Sequence, residues 1–223
     1  MGRGMRAEID QVGVKKAYAR WAPFYDLVFG GNLFARGRRA AIKAADRVGG
    51  TILEVGVGTG ISLADYSADN RIVGVDLSEQ MLQKAKDRVS QLALTHVVRL
   101  EVMDAERLSF PDDSFDVVVA TYVVSTCPHP EAALDEFARV VKPGGEIILA
   151  NRVGAEAGLR RGVEEMLRPI VCWLGWRLDF PWNRFAAWIA QRQDIHLIER
   201  RTMPPFDHFS LLRFGKSSPQ PQS

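Results

Sequence analysis

Cysteine and histidine are scarce in this chain of 223 residues, and long apolar runs are missing. Its two cysteines, Cys127 and Cys172, offer neither a metal-ligand spacing nor a disulfide framework. That excludes a disulfide-stapled scaffold, points to a reducing compartment, and leaves no metal expected. The longest apolar runs, such as Val117 to Val124, fall far short of the roughly 20 residues that a membrane-crossing helix requires. The first residues hold no apolar block of the signal-peptide kind. These absences predict a cytoplasmic protein, at most peripheral on the inner face of the cell membrane. A formal net charge of +2 gives no reason to expect nucleic acid as a partner. The length suits one domain with a single substantial core.

Charge is unevenly placed. Residues 1–47 hold ten Lys or Arg against four acids, a local excess of +6 that favours an anionic surface. Within that stretch Val14, Ala17, Tyr18 and Trp21 follow helical spacing, with Lys15, Lys16 and Arg20 beside them. This is the pattern of a short basic amphipathic helix that docks at lipid headgroups, or of a surface helix packed on its own domain.

The most informative segment runs from Thr51 to Leu63. A short apolar run meets Glu54 and then Gly56, Gly58 and Gly60, and a second run, Arg71 to Val75, ends in Asp76. Glycines let the backbone turn sharply and approach a ligand closely. Asp76, at the tip of the following strand, is placed to accept hydrogen bonds from both hydroxyls of a ribose. A dinucleotide fingerprint needs a small residue at its sixth position, where this chain has Ile61 or Leu63, so an NAD-dependent oxidoreductase fits poorly.

The spacing Glu54-x-Gly56-x-Gly58-x-Gly60 resembles motif I of the class I S-adenosylmethionine-dependent methyltransferases. Three further segments, Val97–Ala105, Phe110–Ala120 and Val140–Leu149, resemble the family's later motifs, in family order. The resemblance implies a Rossmann-like α/β fold: a seven-stranded, mostly parallel sheet with helices on both faces and an antiparallel last strand. The expected strands are 51–56, 71–76, 97–102, 115–121, 146–151, 194–201 and 206–214. Ser78 is expected to cap the helix that buries Leu82, Ala85 and Val89. Pro130 is expected to open the one that buries Ala133, Leu134, Phe137 and Val141, with Lys142–Gly145 as its stop. Residues 1–47 form a helix and lid, 48–215 the methyltransferase domain with a helical insertion at about 155–192, and 216–223 a disordered tail. Four of the five tryptophans, Trp173, Trp176, Trp182 and Trp188, fall in that insertion; part core and part membrane contact is expected of them.

The implied cofactor is S-adenosylmethionine, leaving as S-adenosylhomocysteine. Its ammonium lies near Glu54, its ribose at Asp76, and its adenine against Asp104, between Met103 and Ala105. Ser62, Leu77 and Met81 complete the implied contacts. Tyr18 to Asp26 resembles the lid of methyltransferases that act on quinones and phospholipids, and taken whole the chain resembles the soluble phosphatidylethanolamine N-methyltransferases of bacteria. Successive methylation of a phospholipid amine towards phosphatidylcholine is thereby implied. A protonated amine has no lone pair, so a group nearby must favour its neutral form. Tyr122, Tyr18 and Tyr25 are expected around the nitrogen. Arg152 is expected on the lipid phosphate, with Asn151, Trp21 and His208 as further substrate contacts. A quinone acceptor, or a membrane-associated protein that binds the cofactor without catalysis, stays open.

Overall fold

The computed structural model describes residues 32–152, 181–203 and 209–218. The expected N-terminal helix and lid, most of the helical insertion, His208 and the last five residues lie outside them.

Helix α1 (Asn32–Val48) leads into strand β1 (Thr51–Val55). Then come β2 (Arg71–Asp76), α2 (Glu79–Gln91), β3 (Val97–Val102), β4 (Phe115–Thr121), α3 (Pro130–Val140), β5 (Val141–Arg152), α4 (Trp182–Ala190), β6 (Ile195–Met203) and β7 (Phe209–Lys216). The strands form one seven-stranded sheet in the order β3-β2-β1-β4-β5-β7-β6. β1 to β5 run parallel, and β7 runs antiparallel to both β5 and β6. The expected fold class is the one observed.

The inner strands are apolar on both sides, as a parallel sheet covered by helices requires. Leu53, Val55, Val118, Ala120, Ile147 and Leu149 face α3 and α4, where they meet Leu134, Phe137, Phe185 and Trp188. Ile52, Ile72, Val117, Val119, Ile148 and Ala150 face the other way, onto Ala41, Ala44 and Ala45 of α1 and Leu82 and Ala85 of α2. Ser78 caps α2 as expected, its Oγ accepting from the Met81 N–H at 3.3 Å. Both tryptophans of α4 lie against the core. The Trp188 Nε1–H donates to Asp135 at 2.9 Å, and Trp182 lies under the Arg200 guanidinium, 4.2 Å from its ring centre.

Three differences from the sequence reading have physical causes. First, α1 belongs to the core of the domain rather than to a separate lid segment, because its inward face is built from alanines between arginines. Second, β5 begins at Val141, not at residue 146. Val141 pairs with Phe115, the ladder slips, and Glu146 pairs with Val117. Pro143 and the glycines do end the helix, but they do so as a bulge inside the strand. Third, β7 extends through Lys216, whose Nζ lies 2.6 Å from Asp113 and 2.8 Å from the carbonyl oxygens of Ala138 and Val141.

Within the bulge, a Cβ on Gly145 would sit 2.5 Å from the Asp116 carbonyl oxygen and 2.9 Å from Val141 Cγ2. Gly145→Ala should therefore push two adjacent strands apart. We expect it to destabilise the fold by about 1–3 kcal/mol, read as a lower urea midpoint with an unchanged slope.

Candidate active site

The carboxyl ends of β1, β2 and β4 converge on the glycine loop. The Gly56 and Val57 N–H groups both donate to the Val75 carbonyl, at 2.8 and 3.0 Å, which folds the loop back over β2. Gly56 and Gly60 have φ of +72° and +73°, a region that side chains disfavour. A Cβ at Gly56 would collide with Val123, and one at Gly60 would lie 2.9 Å from Leu63 and 3.0 Å from Ala85 of α2. The loop is thus pressed between the β4 tip and α2.

Asp76 holds this arrangement together. Its Oδ2 accepts from the Gly58 N–H and its Oδ1 from the Ser78 N–H, both at 2.8 Å. Burial raises its pKa while these N–H groups pull it down. An ionised carboxylate offers about four acceptor sites, so it keeps acceptor capacity for a ribose hydroxyl. Met103 is tied to the same place by its N–H, 3.0 Å from the Asp76 carbonyl. Asp104 follows, its Oδ1 accepting from the Glu106 N–H at 2.9 Å. Met103 and Ala105 are half-buried against the core. Leu77 is half-buried and Met81 buried.

A pocket of about 420 Å³, open to solvent, lies beside the loop, lined among others by Arg38, Glu54, Gly56, Thr59, Ser62 and Tyr122. Glu54 is buried, and its Oε2 has no hydrogen-bond partner among the described residues. Desolvation pushes its carboxyl up to about 7, against the pull of the Ser62 and Tyr66 hydroxyls and of the Arg38 charge.

Tyr122 is at the pocket, but its hydroxyl is not presented to it as expected. The Oη donates to the Phe34 carbonyl of α1 at 3.0 Å, and the ring packs edge-on against Phe34 and Phe209, with centres 5.1 and 5.4 Å away. Strand alternation would place Tyr122 on the face of Val118 and Ala120. Its φ of +64° swings it to the opposite face, a conformation that costs on the order of 1–3 kcal/mol. Burial also holds the phenol well above its usual range, so it stays neutral.

Asn151, at the end of β5, is buried on the other face. Its Oδ1 accepts from Ser125 Oγ at 3.3 Å, and its Nδ2 has no partner among the described residues. The backbone of Arg152 is the last residue of β5. Tyr18, Trp21, Tyr25 and His208 lie outside the described residues. The structure adds Arg38, Thr59 and Tyr66. For Arg38 the available signal was Gly37, a lone glycine inside a helical run that marks close packing. Among the described residues no group of His, Cys, Asp and Glu side chains could hold a metal ion, and no helix is long and apolar enough to cross a membrane.

An acidic strand end, a glycine loop and a second acidic strand tip under a parallel sheet are what a nucleoside-bearing methyl donor requires. Residues 53–149 match the family described as "Methyltransferase domain", and the chain belongs to the class I S-adenosylmethionine-dependent methyltransferases, with S-adenosylmethionine as cofactor. It is 40% identical over 203 residues to the phosphatidylethanolamine N-methyltransferase of Cereibacter sphaeroides, covering 91% of this chain and 97% of that one. It is 29% identical over 180 residues to the ubiquinone/menaquinone biosynthesis C-methyltransferase of Cupriavidus taiwanensis, covering 76% and 73%. Its fold is similar to that of an S-adenosylmethionine-dependent methyltransferase, possibly a histamine N-methyltransferase, from Thermotoga maritima. That match has a TM-score of 0.66 and 21% identity, over 92% of this chain and all of that one. The site fits the cofactor: Glu54 Oε2 is a buried acceptor with no partner among the described residues, at the pocket beside the loop.

Between pH 4.5 and about 7 the folded, cofactor-free protein retains a proton on Glu54 that the unfolded chain releases. Stability from this group is therefore complete at low pH and lost as the pH rises through that window. Glu54→Gln should remove the slope. Urea unfolding from about pH 5 to about pH 8 should show the wild type losing stability relative to the variant.

Proposed function

We propose that this chain methylates the headgroup amine of phosphatidylethanolamine at a membrane surface, in successive steps towards phosphatidylcholine. The observation that carries this reading is the likeness to a phosphatidylethanolamine N-methyltransferase along nearly the whole of both chains. The basic segment around Lys15, Lys16 and Arg20 supports it, because such a segment favours anionic lipid surfaces.

In this reading Glu54 takes the ammonium of the methyl donor. Gly56, Gly58, Gly60, Ser62, Leu77 and Met81 form its bed, Asp76 takes the ribose, and Asp104 takes the adenine between Met103 and Ala105. The cofactor supplies a sulfonium-bound methyl group for in-line displacement. The protein's task is then to hold the acceptor nitrogen about 3 Å from that carbon. Tyr18 and Tyr25 surround the nitrogen, with Tyr122 contributing as a neutral phenol. Arg152 pairs with the lipid phosphate, and Asn151, Trp21 and His208 complete the acceptor site. The Asn151 Nδ2, buried without a partner among the described residues, supports its part in this, since a buried donor favours an incoming acceptor oxygen.

A quinone acceptor is the second reading, supported by the likeness to the quinone C-methyltransferase. Purified protein incubated with S-adenosylmethionine and phosphatidylethanolamine vesicles should yield lipids carrying one, two and three added methyl groups by mass spectrometry. Methylation of a quinol with none on the phospholipid would overturn the first reading. Peripheral binding is tested separately. Co-sedimentation with anionic vesicles should weaken as salt screens the charges, and again when Lys15, Lys16 and Arg20 are replaced by Gln. Binding that ignores both changes would count against the basic helix.

A further inference from the structure

Among the described residues, helix α1 reaches the cofactor pocket through Arg38, which lines it together with Glu54. The charged groups among its described lining residues are this guanidinium and the Glu54 carboxyl. The amino-acid end of S-adenosylmethionine carries a carboxylate and an ammonium, the complementary pair. Its adenosine end has no anion for an arginine to hold.

What sets the depth of Arg38 is Tyr122. The Phe34 carbonyl that accepts the Tyr122 hydroxyl at 3.0 Å is the one that, in an α-helix, also receives the Arg38 N–H. The bond across 88 positions of sequence therefore grips the turn that carries the arginine. Gly37, in the same turn, lies against the phenol: a Cβ there would collide with the Tyr122 hydroxyl and sit 3.2 Å from Cζ. The Phe34, Tyr122 and Phe209 rings close the contact edge to face. The left-handed backbone of Tyr122 is what aims its ring at α1 rather than at the opposite face of the sheet. A strained residue, a glycine that admits its hydroxyl and a long-range hydrogen bond all serve one contact.

We propose that Tyr122 is a positioning residue that latches α1 onto the β4 tip, so that Arg38 pairs with the methyl donor's carboxylate while Glu54 takes its ammonium. This rests on the assignment of S-adenosylmethionine as the cofactor. It gives the phenol a role besides shaping the acceptor site, and it makes the first turns of α1 part of the donor site.

The test compares two ligands by isothermal titration calorimetry on the full chain. S-adenosylhomocysteine carries the amino-acid end, and 5′-methylthioadenosine has the nucleoside without it. Arg38→Met should weaken S-adenosylhomocysteine roughly tenfold or more, as expected for loss of a charge-assisted pair, and leave 5′-methylthioadenosine within about twofold. Arg38→Lys should restore part of the difference. Tyr122→Phe should give a smaller loss with the same selectivity, and adding it to Arg38→Met should give no further loss, because it acts through Arg38. Gly37→Ala, which forces α1 away from the hydroxyl, should reproduce the Tyr122→Phe pattern. Equal weakening of both ligands, weakening of neither, or additivity in the double variant would overturn the proposal. A wild type that binds neither ligand would overturn the cofactor assignment itself, and the proposal with it.

Discussion

The donor site depends on the two backbone hydrogen bonds accepted by Asp76. One reaches the loop after β1 at Gly58, the other the start of α2 at Ser78. The carboxylate thereby sets the distance between the glycine loop and the helix behind it. Close packing of Gly60 against Ala85 then follows. The Met103 N–H on the Asp76 carbonyl brings the third strand into the same frame. Three strand ends are held in register by one residue whose side chain also has acceptor sites left for a ligand.

Glu54 works in the opposite sense. Asp76 is half-buried and supplied with donors, whereas one oxygen of Glu54 is buried without one among the described residues. An unsatisfied carboxylate in the interior is unfavourable, and its raised pKa expresses that. The cofactor-free protein lowers the cost by taking up a proton. An ammonium group in the pocket would lower it by supplying charge and donors together. Local instability of the empty site and affinity for its ligand then have one origin.

The sheet and donor loop were legible in the sequence because each depends on local features. The apolar runs end in an acid or a glycine, Ser78 opens a helix, and Pro130 opens another. Features set by tertiary contacts were not legible. The inward face of α1 consists largely of alanines, and among arginines these give little apolar signal, so the helix reads as an appendage. Arg38 sits in Arg36-Gly-Arg-Arg39, which reads as surface charge. The position of Tyr122 was evident and its direction was not, because a single left-handed φ reverses the alternation on which the expectation rested. The start of β5 was hidden for a related reason: proline and paired glycines end a helix, and the same residues accommodate a bulge.

The antiparallel course of β7 decides where the strand ends. Lys216 lies beside the start of β5 and is anchored there by Asp113 and two carbonyl oxygens. The donor site lies at the opposite ends of the parallel strands. Anything joined after this point leaves from the base of the sheet. A surface attachment or a fluorescent reporter placed there would leave the donor site facing away from it, with the full depth of the sheet between probe and pocket.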